Sequence, residues 1–325
     1  MRRREFITVL GGAAAWPLAA RAQKSRTPVV GWLHSTSAAF TVHLVAAFRK
    51  GLSEAGFTER QNVSIEYRHA NGQYEQLSGM AAELARRRVD VIFAGSPPAA
   101  LAAKVATTTI PIVFVVGLDP VAAGLVGSFN RPGGNATGIT MITGPLAQKR
   151  LEILRELLPK AANIAMIVNP NTPDAVPEIR DVQAAAQANG FQIATSNATT
   201  AAELDEAFKA LAQNRPDALL IGSDPFFVSR SEQFAKFASQ AKIPAIYPFR
   251  ESTDAGGLVS YGTNIPNAYR QGGILTARIL KGEKTADLPV QQPTKFELVI
   301  NLKAAKALGL AVPPSLLSRA DDVIE

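Results

Sequence analysis

The feature that most constrains the fold is a regular alternation of short apolar runs with stretches of helical periodicity. The apolar runs include PVVGWL at 28–33, VDVIFA at 89–94 and IVFVV at 112–116. Each is almost continuously apolar, as expected for strands buried on both faces. A helical pattern over 38–55 stops at Gly56, a typical helix end. Such alternation predicts an α/β fold in which helices cover both faces of parallel sheets.

The alternation restarts after about residue 145, which predicts a second α/β unit of domain size. A weak internal repeat supports this division, because RVDVIFAGSPP at 88–98 aligns with RPDALLIGSDP at 215–225 and five of the eleven positions are identical. The chain from 257 onwards is too short for a third domain, so its strands are expected to complete the first two sheets. Further strands are predicted at 163–168, 192–195, 218–221 and 245–247.

The first 22 residues, MRRREFITVLGGAAAWPLAARA, have the three-part order of an export signal. Three arginines precede an uncharged stretch, and Ala20-Arg21-Ala22 fits the small-x-small cleavage rule. The hydrophobic run is too short to remain as a membrane span. Arg3 and Arg4 begin a match to the core of a twin-arginine signal, with Sec export as the alternative. We therefore predict a signal peptide over 1–22.

Charge and cysteine content exclude several classes of protein. Without the first 22 residues the chain has 30 basic and 26 acidic residues, an excess too small to indicate nucleic-acid binding. Because it has no cysteine, a disulfide framework, a cysteine metal site and a lipid-modified cysteine are excluded. The expected location is a bacterial periplasm, where the mature protein is predicted to be soluble and free of a lipid anchor.

Patterns that indicate catalysis are missing from the sequence. The histidines are His34, His43 and His69, and none has the spacing of a paired-histidine metal site. The sequence contains no G-x-S-x-G nucleophile elbow, no P-loop and no G-x-G-x-x-G fingerprint. We therefore predict no enzyme activity, no cofactor and no metal.

Ligands of open parallel sheets bind beyond the carboxyl ends of the strands. The residues that follow the predicted strands carry hydroxyl, carboxylate and aromatic groups, a lining suited to a small organic ligand. The candidate site residues at or just after these strand ends are His34, Ser35, Ser96, Asp119, Ser223, Asp224, Phe226, Phe227 and Arg250.

Several of these candidates have a purely structural alternative. Asp119 and Asp224 each precede a proline, as helix N-caps often do. The adjacent Phe226 and Phe227 would point about 100° apart on a helix, so one could face the sheet and the other a cleft. Arg250 is either a solvated surface residue or a clamp for a ligand carboxylate.

Several longer motifs occur in order along nearly the whole mature chain. They are DPVAAGLV at 119–126, RPGGNATG at 131–138, GGLVSYG at 256–262, FELVINL at 296–302 and LSRADDVIE at 317–325. With these motifs the chain resembles the ABC-transporter substrate-binding proteins of the family that includes tryptophan- and tyrosine-binding members.

The resemblance implies a type I periplasmic-binding fold, with two doubly wound parallel-sheet lobes joined by three crossover segments. Lobe 1 is then expected over 28–141 plus 262–292, and lobe 2 over 142–261 plus 293–325. The crossovers are expected near 140–144, 260–263 and 292–294.

The resemblance also implies a function, the capture of a small organic ligand between closing lobes and its delivery to an ABC permease driven by an ATPase. Ser96 is expected at a ligand carboxylate, Asp224 at a cation or hydroxyl, and Phe226 or Phe227 at a ring. The resemblance also adds Tyr247 to the expected lining. The expected ligand is an aromatic amino acid or, if Arg250 contacts it, an aromatic carboxylate. The alternative is a periplasmic sensing module for a membrane receptor. The protein is expected to be a monomer that contacts the membrane only through the permease.

Overall fold

The computed structural model describes residues 26–141, 143, 146–173 and 175–325. The signal peptide predicted over 1–22 lies outside these residues. Within the described ranges, no helix is both long and apolar enough to cross a membrane.

Strands and helices alternate along the chain. The strands are β1 (Val29–His34), β2 (Ser64–His69), β3 (Val91–Ala94), β4 (Ile112–Val116), β5 (Ala136–Thr140), β6 (Asn163–Val168), β7 (Gln192–Asn197), β8 (Ala218–Ile221), β9 (Ala245–Tyr247), β10 (Val259–Gly262), β11 (Glu297–Asn301) and β12 (Asp322–Ile324). The helices are α1 (Ala38–Glu54), α2 (Leu77–Arg86), α3 (Pro97–Ala106), α4 (Leu146–Leu157), α5 (Ala175–Ala188), α6 (Ala201–Asn214), α7 (Pro225–Val228), α8 (Ser231–Ala241), α9 (Arg250–Asp254), α10 (Ile265–Leu280), α11 (Leu302–Ala307) and α12 (Pro314–Leu317). Turns of 3-10 helix lie at Tyr74–Gln76 and Thr285–Asp287.

The strands form two sheets, each the centre of one lobe. The first has the order β2-β1-β3-β4-β5 and is parallel throughout. The second has the order β12-β11-β10-β9-β8-β6-β7. Within it β10 and β11 are antiparallel, and the other neighbouring strands are parallel. The reason is that Gly262, where β10 ends, lies opposite Glu297, where β11 begins, so the chain leaves and re-enters the sheet at the same end.

Each sheet is covered on both faces, as its apolar strands predict. In β1, Trp32 and Leu33 point to opposite faces and belong to separate hydrophobic clusters. In β8, Leu219 and Leu220 divide in the same way. All four side chains are at most 1% exposed, so the core of each lobe lies on both sides of its sheet.

Helix α10 follows a strand of the second sheet but packs against α1 in the first lobe. Two glycines allow the helices to touch, because a Cβ on Gly51 would overlap the Arg270 carbonyl and a Cβ on Gly273 would overlap the Phe48 carbonyl. The chain therefore passes between the lobes three times, after β5, after β10 and before β11.

Candidate ligand-binding site

A cavity of about 60 Å³ lies between the lobes, at the carboxyl ends of strands from both sheets. We call it the central cavity. Its described polar lining includes His34, Ser96, Thr143, Ser223, Asp224 and Tyr269, and its apolar lining includes Phe40, Leu44, Val115, Met141, Val228, Phe249 and Ile265. Polar groups and an apolar wall in one cleft are typical of sites for small organic molecules.

His34, the last residue of β1, is held as a neutral donor. The Thr36 backbone N–H donates to its Nδ1 at 3.1 Å, so the ring proton is on Nε2. Nε2 lies 2.8 Å from the Tyr269 hydroxyl, which in turn donates to the Gly95 carbonyl. Burial, and next the nearby His69, lowers the pKa of His34 to about 3. The imidazole therefore brings no positive charge to the cavity at neutral pH.

Gly95 makes room for this pair of side chains. A Cβ at this position would lie 2.6 Å from the His34 ring and 2.8 Å from the Tyr269 hydroxyl. Any larger residue would have to displace one of them, so the glycine after β3 sets the position of both rings.

Two serines from the internal repeat line the cavity from opposite lobes. Ser96 precedes α3 with extended backbone, and its hydroxyl does not cap the helix. Ser223 follows β8, and its backbone N–H donates to Glu178 Oε1 at 2.9 Å. Both hydroxyl oxygens are buried, and neither has a hydrogen-bond partner in the part of the chain that the structure describes. They are available to a ligand.

Asp224 combines the two roles that the sequence left open. It is the N-cap of α7, because Oδ1 accepts from the Phe226 backbone N–H at 2.9 Å. It also lines the central cavity and is 2% exposed. Its carboxylate accepts further hydrogen bonds from Asn169 at 3.3 Å and from the Tyr74 hydroxyl at 3.1 Å.

Phe226 and Phe227 belong to the core of the second lobe and are 3% and 1% exposed. Phe227 packs edge-on against Phe234, and the Arg230 guanidinium lies 3.7 Å from the Phe226 ring centre. Neither is among the residues lining the cavity, contrary to the expectation that one faces it. The turn of α7 directs both rings towards the apolar interior, which a count along the helix could not reveal.

The other candidates lie elsewhere. Tyr247 is fully buried in the same core as Phe227. Exposed Asp119 caps its own turn by accepting from the Val121 N–H at 2.8 Å. Arg250 pairs with Asp254 and Asp322, an ion-pair group at the surface.

Ser35 is fully buried next to His34, and its carbonyl accepts from the Gly72 N–H at 2.7 Å. It is close to the site without being among the described lining residues.

Sequence reasoning missed the residues that reach the cavity from distant segments. Tyr269 lies on α10 and Met141 follows β5, whereas Phe40 and Leu44 lie on α1. No local pattern marks them. Phe249 is different, because it lies two residues after the end of β9 and so within the segment to which the rule of strand ends applies.

A larger polar groove of about 490 Å³ runs beside the segment that leads into β11. It is lined by Ile139, Asn264, Asn267, Ala268, Gln271, Gln291, Gln292, Pro293, Thr294, Lys295 and Glu297. The smaller cavity is the candidate ligand site because it lies at the strand ends and has buried hydroxyls without partners among the described residues. No group of three or more potential metal ligands was found among the described residues.

Comparison with known proteins identifies relatives that match most of the chain. The family model described as ABC transporter substrate binding protein matches residues 38–324. A tyrosine-binding protein of Clostridioides difficile is 30% identical over 263 residues, which cover 81% of this chain and 75% of that protein.

Two solved structures share the fold at similar sequence identity. The ABC domain in complex with L-Trp from Streptococcus pneumonia is 25% identical and superposes with a TM-score of 0.84, covering 92% of this chain and all of that one. The ligand-free, open structure of a substrate binding protein from Clostridium difficile is 28% identical, with a TM-score of 0.65 over 91% of this chain and 99% of that one. The expected type I periplasmic-binding fold is confirmed.

Proposed function

Because the chain belongs to the family of ABC transporter substrate-binding proteins, we propose that it captures an aromatic amino acid in the periplasm for an importer. The family binds its substrates without transforming them, so the protein is not an enzyme. The ligand, its delivery and the export of the protein are parts of the proposal.

The charge of the central cavity is the observation that carries the choice of ligand. Asp224 contributes a carboxylate, His34 is neutral, and the described lining residues include no Lys or Arg. A cavity of this charge favours a ligand that carries an ammonium group over an aromatic carboxylate without one. Arg250 was the predicted partner for an aromatic carboxylate without an amino group. It instead forms an ion pair with Asp322 at the surface, at 2.9 Å.

The remaining lining fits the rest of an amino acid. The unpartnered hydroxyls of Ser96 and Ser223 can donate to its carboxylate. Phe40 and Phe249 supply aromatic surface, the part that we had expected from Phe226 and Phe227. The names of the tyrosine-binding relative and of the L-Trp complex support a ring-bearing ligand.

Closure of the lobes is the proposed means of capture. At similar identity, the chain superposes better on the L-Trp complex than on the open structure, which supports a closed arrangement. Binding sites for small molecules span about 300–1,000 Å³, so a ligand would enter a wider cleft and then bridge both lobes as they close.

The lobe boundaries remain as proposed from the resemblance, 28–141 plus 262–292 and 142–261 plus 293–325. The packing of α10 on α1 and the position of β11 and β12 in the second sheet support them. In the closed form the protein would dock as a monomer on a permease and deliver its ligand to it, and the permease would carry the ligand across the membrane.

Calorimetric titration tests the proposal. We expect L-tyrosine or L-tryptophan to bind, and we expect hydroxyphenylpropionate and indolepropionate, which lack the amino group, to bind at least about 100-fold more weakly because Asp224 would lose its ionic partner. Equal affinity for the compounds without the amino group would contradict the assignment of Asp224 to an ammonium.

A further inference from the structure

Tyr74 lies at the join between the lobes and contacts both. It begins the 3-10 turn after β2, in the first lobe. Its ring packs against a hydrophobic cluster of the first lobe and also against the cluster of the second lobe that contains Phe226. Its hydroxyl lies 3.1 Å from Asp224 Oδ2 and 3.3 Å from Oδ1.

The bond between Tyr74 and Asp224 is shielded from water and involves a charge. Asp224 is 2% exposed. Burial, and next the charge of Asp224, raises the pKa of the Tyr74 phenol above its usual value, so the phenol keeps its proton and acts as the donor. Hydrogen bonds to a carboxylate in such surroundings are stronger than those between neutral groups.

The described residues that donate to Asp224 come from both lobes. Asn169 and the Phe226 backbone belong to the second lobe, as Asp224 does. Tyr74 belongs to the first lobe, so its bond requires the lobes to be together. Nearby, a Cβ on Gly72 would lie 3.9 Å from the Phe226 ring, which places these segments in contact beside the bond.

We infer that Tyr74 and Asp224 form a latch that stabilises the closed arrangement through the protein's own atoms. The inference rests on the proposed closure of the lobes. Tyr74 is not among the described residues that line the central cavity, so it acts as a positioning residue for Asp224 and for the lobes.

A latch of this kind has a signature that a ligand contact lacks. It changes the equilibrium between open and closed forms, and that equilibrium multiplies the affinity of every ligand by the same factor. A residue that touches the ligand would instead change the affinities of two ligands by different factors.

Tyr74→Phe tests the latch, with Tyr67→Phe as a matched control. The Tyr67 hydroxyl also donates to a carboxylate, Glu59 at 3.3 Å, but both residues lie in the first lobe. We expect Tyr74→Phe to weaken L-tryptophan and L-tyrosine binding by one common factor of about 10, the usual effect of losing a hydrogen bond to a charged group. Tyr67→Phe should leave both affinities unchanged. Unchanged affinities in Tyr74→Phe, or a changed ratio between the two ligands, would overturn the inference.

A second measurement needs no ligand. Because the chain has no cysteine of its own, spin labels attach only to cysteines that are introduced. Val105→Cys and Val176→Cys place one label on each lobe, at positions where the parent residues are 89% and 78% exposed. In the ligand-free protein, Tyr74→Phe should shift the distance distribution between the labels away from that of the parent. An unshifted distance distribution overturns the latch, whether or not either amino acid binds. If neither amino acid binds the parent protein, that result contradicts only the proposed ligand.

Discussion

The Nε2 atom of His34 lies 2.8 Å from the hydroxyl of Tyr269, a residue 235 positions further along the chain. The pair joins the end of β1 to α10. This helix belongs to the first lobe, although it follows the strands of the second lobe in the sequence. Because the hydrogen bond from Thr36 fixes the proton of His34 on Nε2, the imidazole donates to the Tyr269 hydroxyl. That hydroxyl in turn donates to the Gly95 carbonyl. One continuous chain of hydrogen bonds therefore links three residues that line the central cavity.

Burial of His34 predicts a loss of stability in acid. Its pKa is about 3 in the folded protein, below the ordinary value of 6.5, so the unfolded chain binds the proton more tightly. The loss of unfolding free energy due to His34 is absent above pH 6.5 and grows as the pH falls towards 3, reaching about 3 kcal/mol at pH 4. In urea denaturation between pH 7 and pH 4, His34→Gln should therefore have a flatter pH dependence than the parent. His43→Gln, at a partly buried position, should remove much less of the slope, and equal slopes in the parent and His34→Gln would contradict the assignment.

Gly95→Ala should disturb the same pair by steric overlap. The new Cβ would lie 2.6 Å from the His34 ring, and we expect a loss of about 1–3 kcal/mol in the free energy of unfolding, as for other overpacked cores. Ligand affinity should fall too, since both rings line the cavity. Gly79→Ala is the control because nothing lies within 4 Å of its Cβ and the residue is inside α2, where alanine is favoured. Chemical denaturation and calorimetric titration of both variants give the comparison.

Asp224→Asn separates the capping role of Asp224 from its role in binding. Asparagine caps helices about as well as aspartate, so the change at the cap itself should alter the free energy of unfolding by less than about 1 kcal/mol. The negative charge at the cavity is lost, and we expect the affinity for an amino acid to fall by at least about 10-fold. Asp119→Asn removes the charge of an exposed cap outside the cavity and should change neither property. Normal binding by Asp224→Asn would mean that Asp224 serves the fold alone.

Two serines that precede helices give a further contrast. The Ser37 hydroxyl caps α1 by accepting from the Phe40 N–H at 3.3 Å, whereas the Ser96 hydroxyl caps nothing in the described structure. Ser37→Ala should therefore lower stability by about 1 kcal/mol and leave binding largely intact. Ser96→Ala should bind its ligand more weakly with little change in melting temperature. If Ser96→Ala retains full affinity in titration, its hydroxyl does not contact the ligand.

Strands that are short, apolar and β-branched could be predicted with their bounds. IVFVV became β4 over Ile112–Val116, and the strands expected at 163–168 and 245–247 also have the predicted limits. Strand β5, ATGIT, was missed because Gly138 weakens the pattern of a strand. The glycine is required there, since a Cβ would overlap the Phe114 carbonyl, and that contact depends on the neighbouring strand.

The site was predictable to the extent that it follows the strand ends. Four of the predicted residues line the central cavity, because parallel strands bring their carboxyl ends together: His34, Ser96, Ser223 and Asp224. Tyr269 was not found, because its place depends on how α10 packs on α1. The sequence also does not show which face of α7 packs against the core, and for that reason Phe226 and Phe227 were wrongly expected at the cavity.

The contact of α1 with α10 has a consequence for the synthesis of the protein. Roughly 210 residues separate the end of α1 from the start of α10, and ribosomes add about 5–20 residues per second. For about 10–40 s after α1 leaves the ribosome, the apolar surface around Phe48 and Leu52 has no covering helix. The nascent first lobe therefore exposes this apolar surface until α10 is synthesised, so completion of its fold waits for the synthesis of the second lobe.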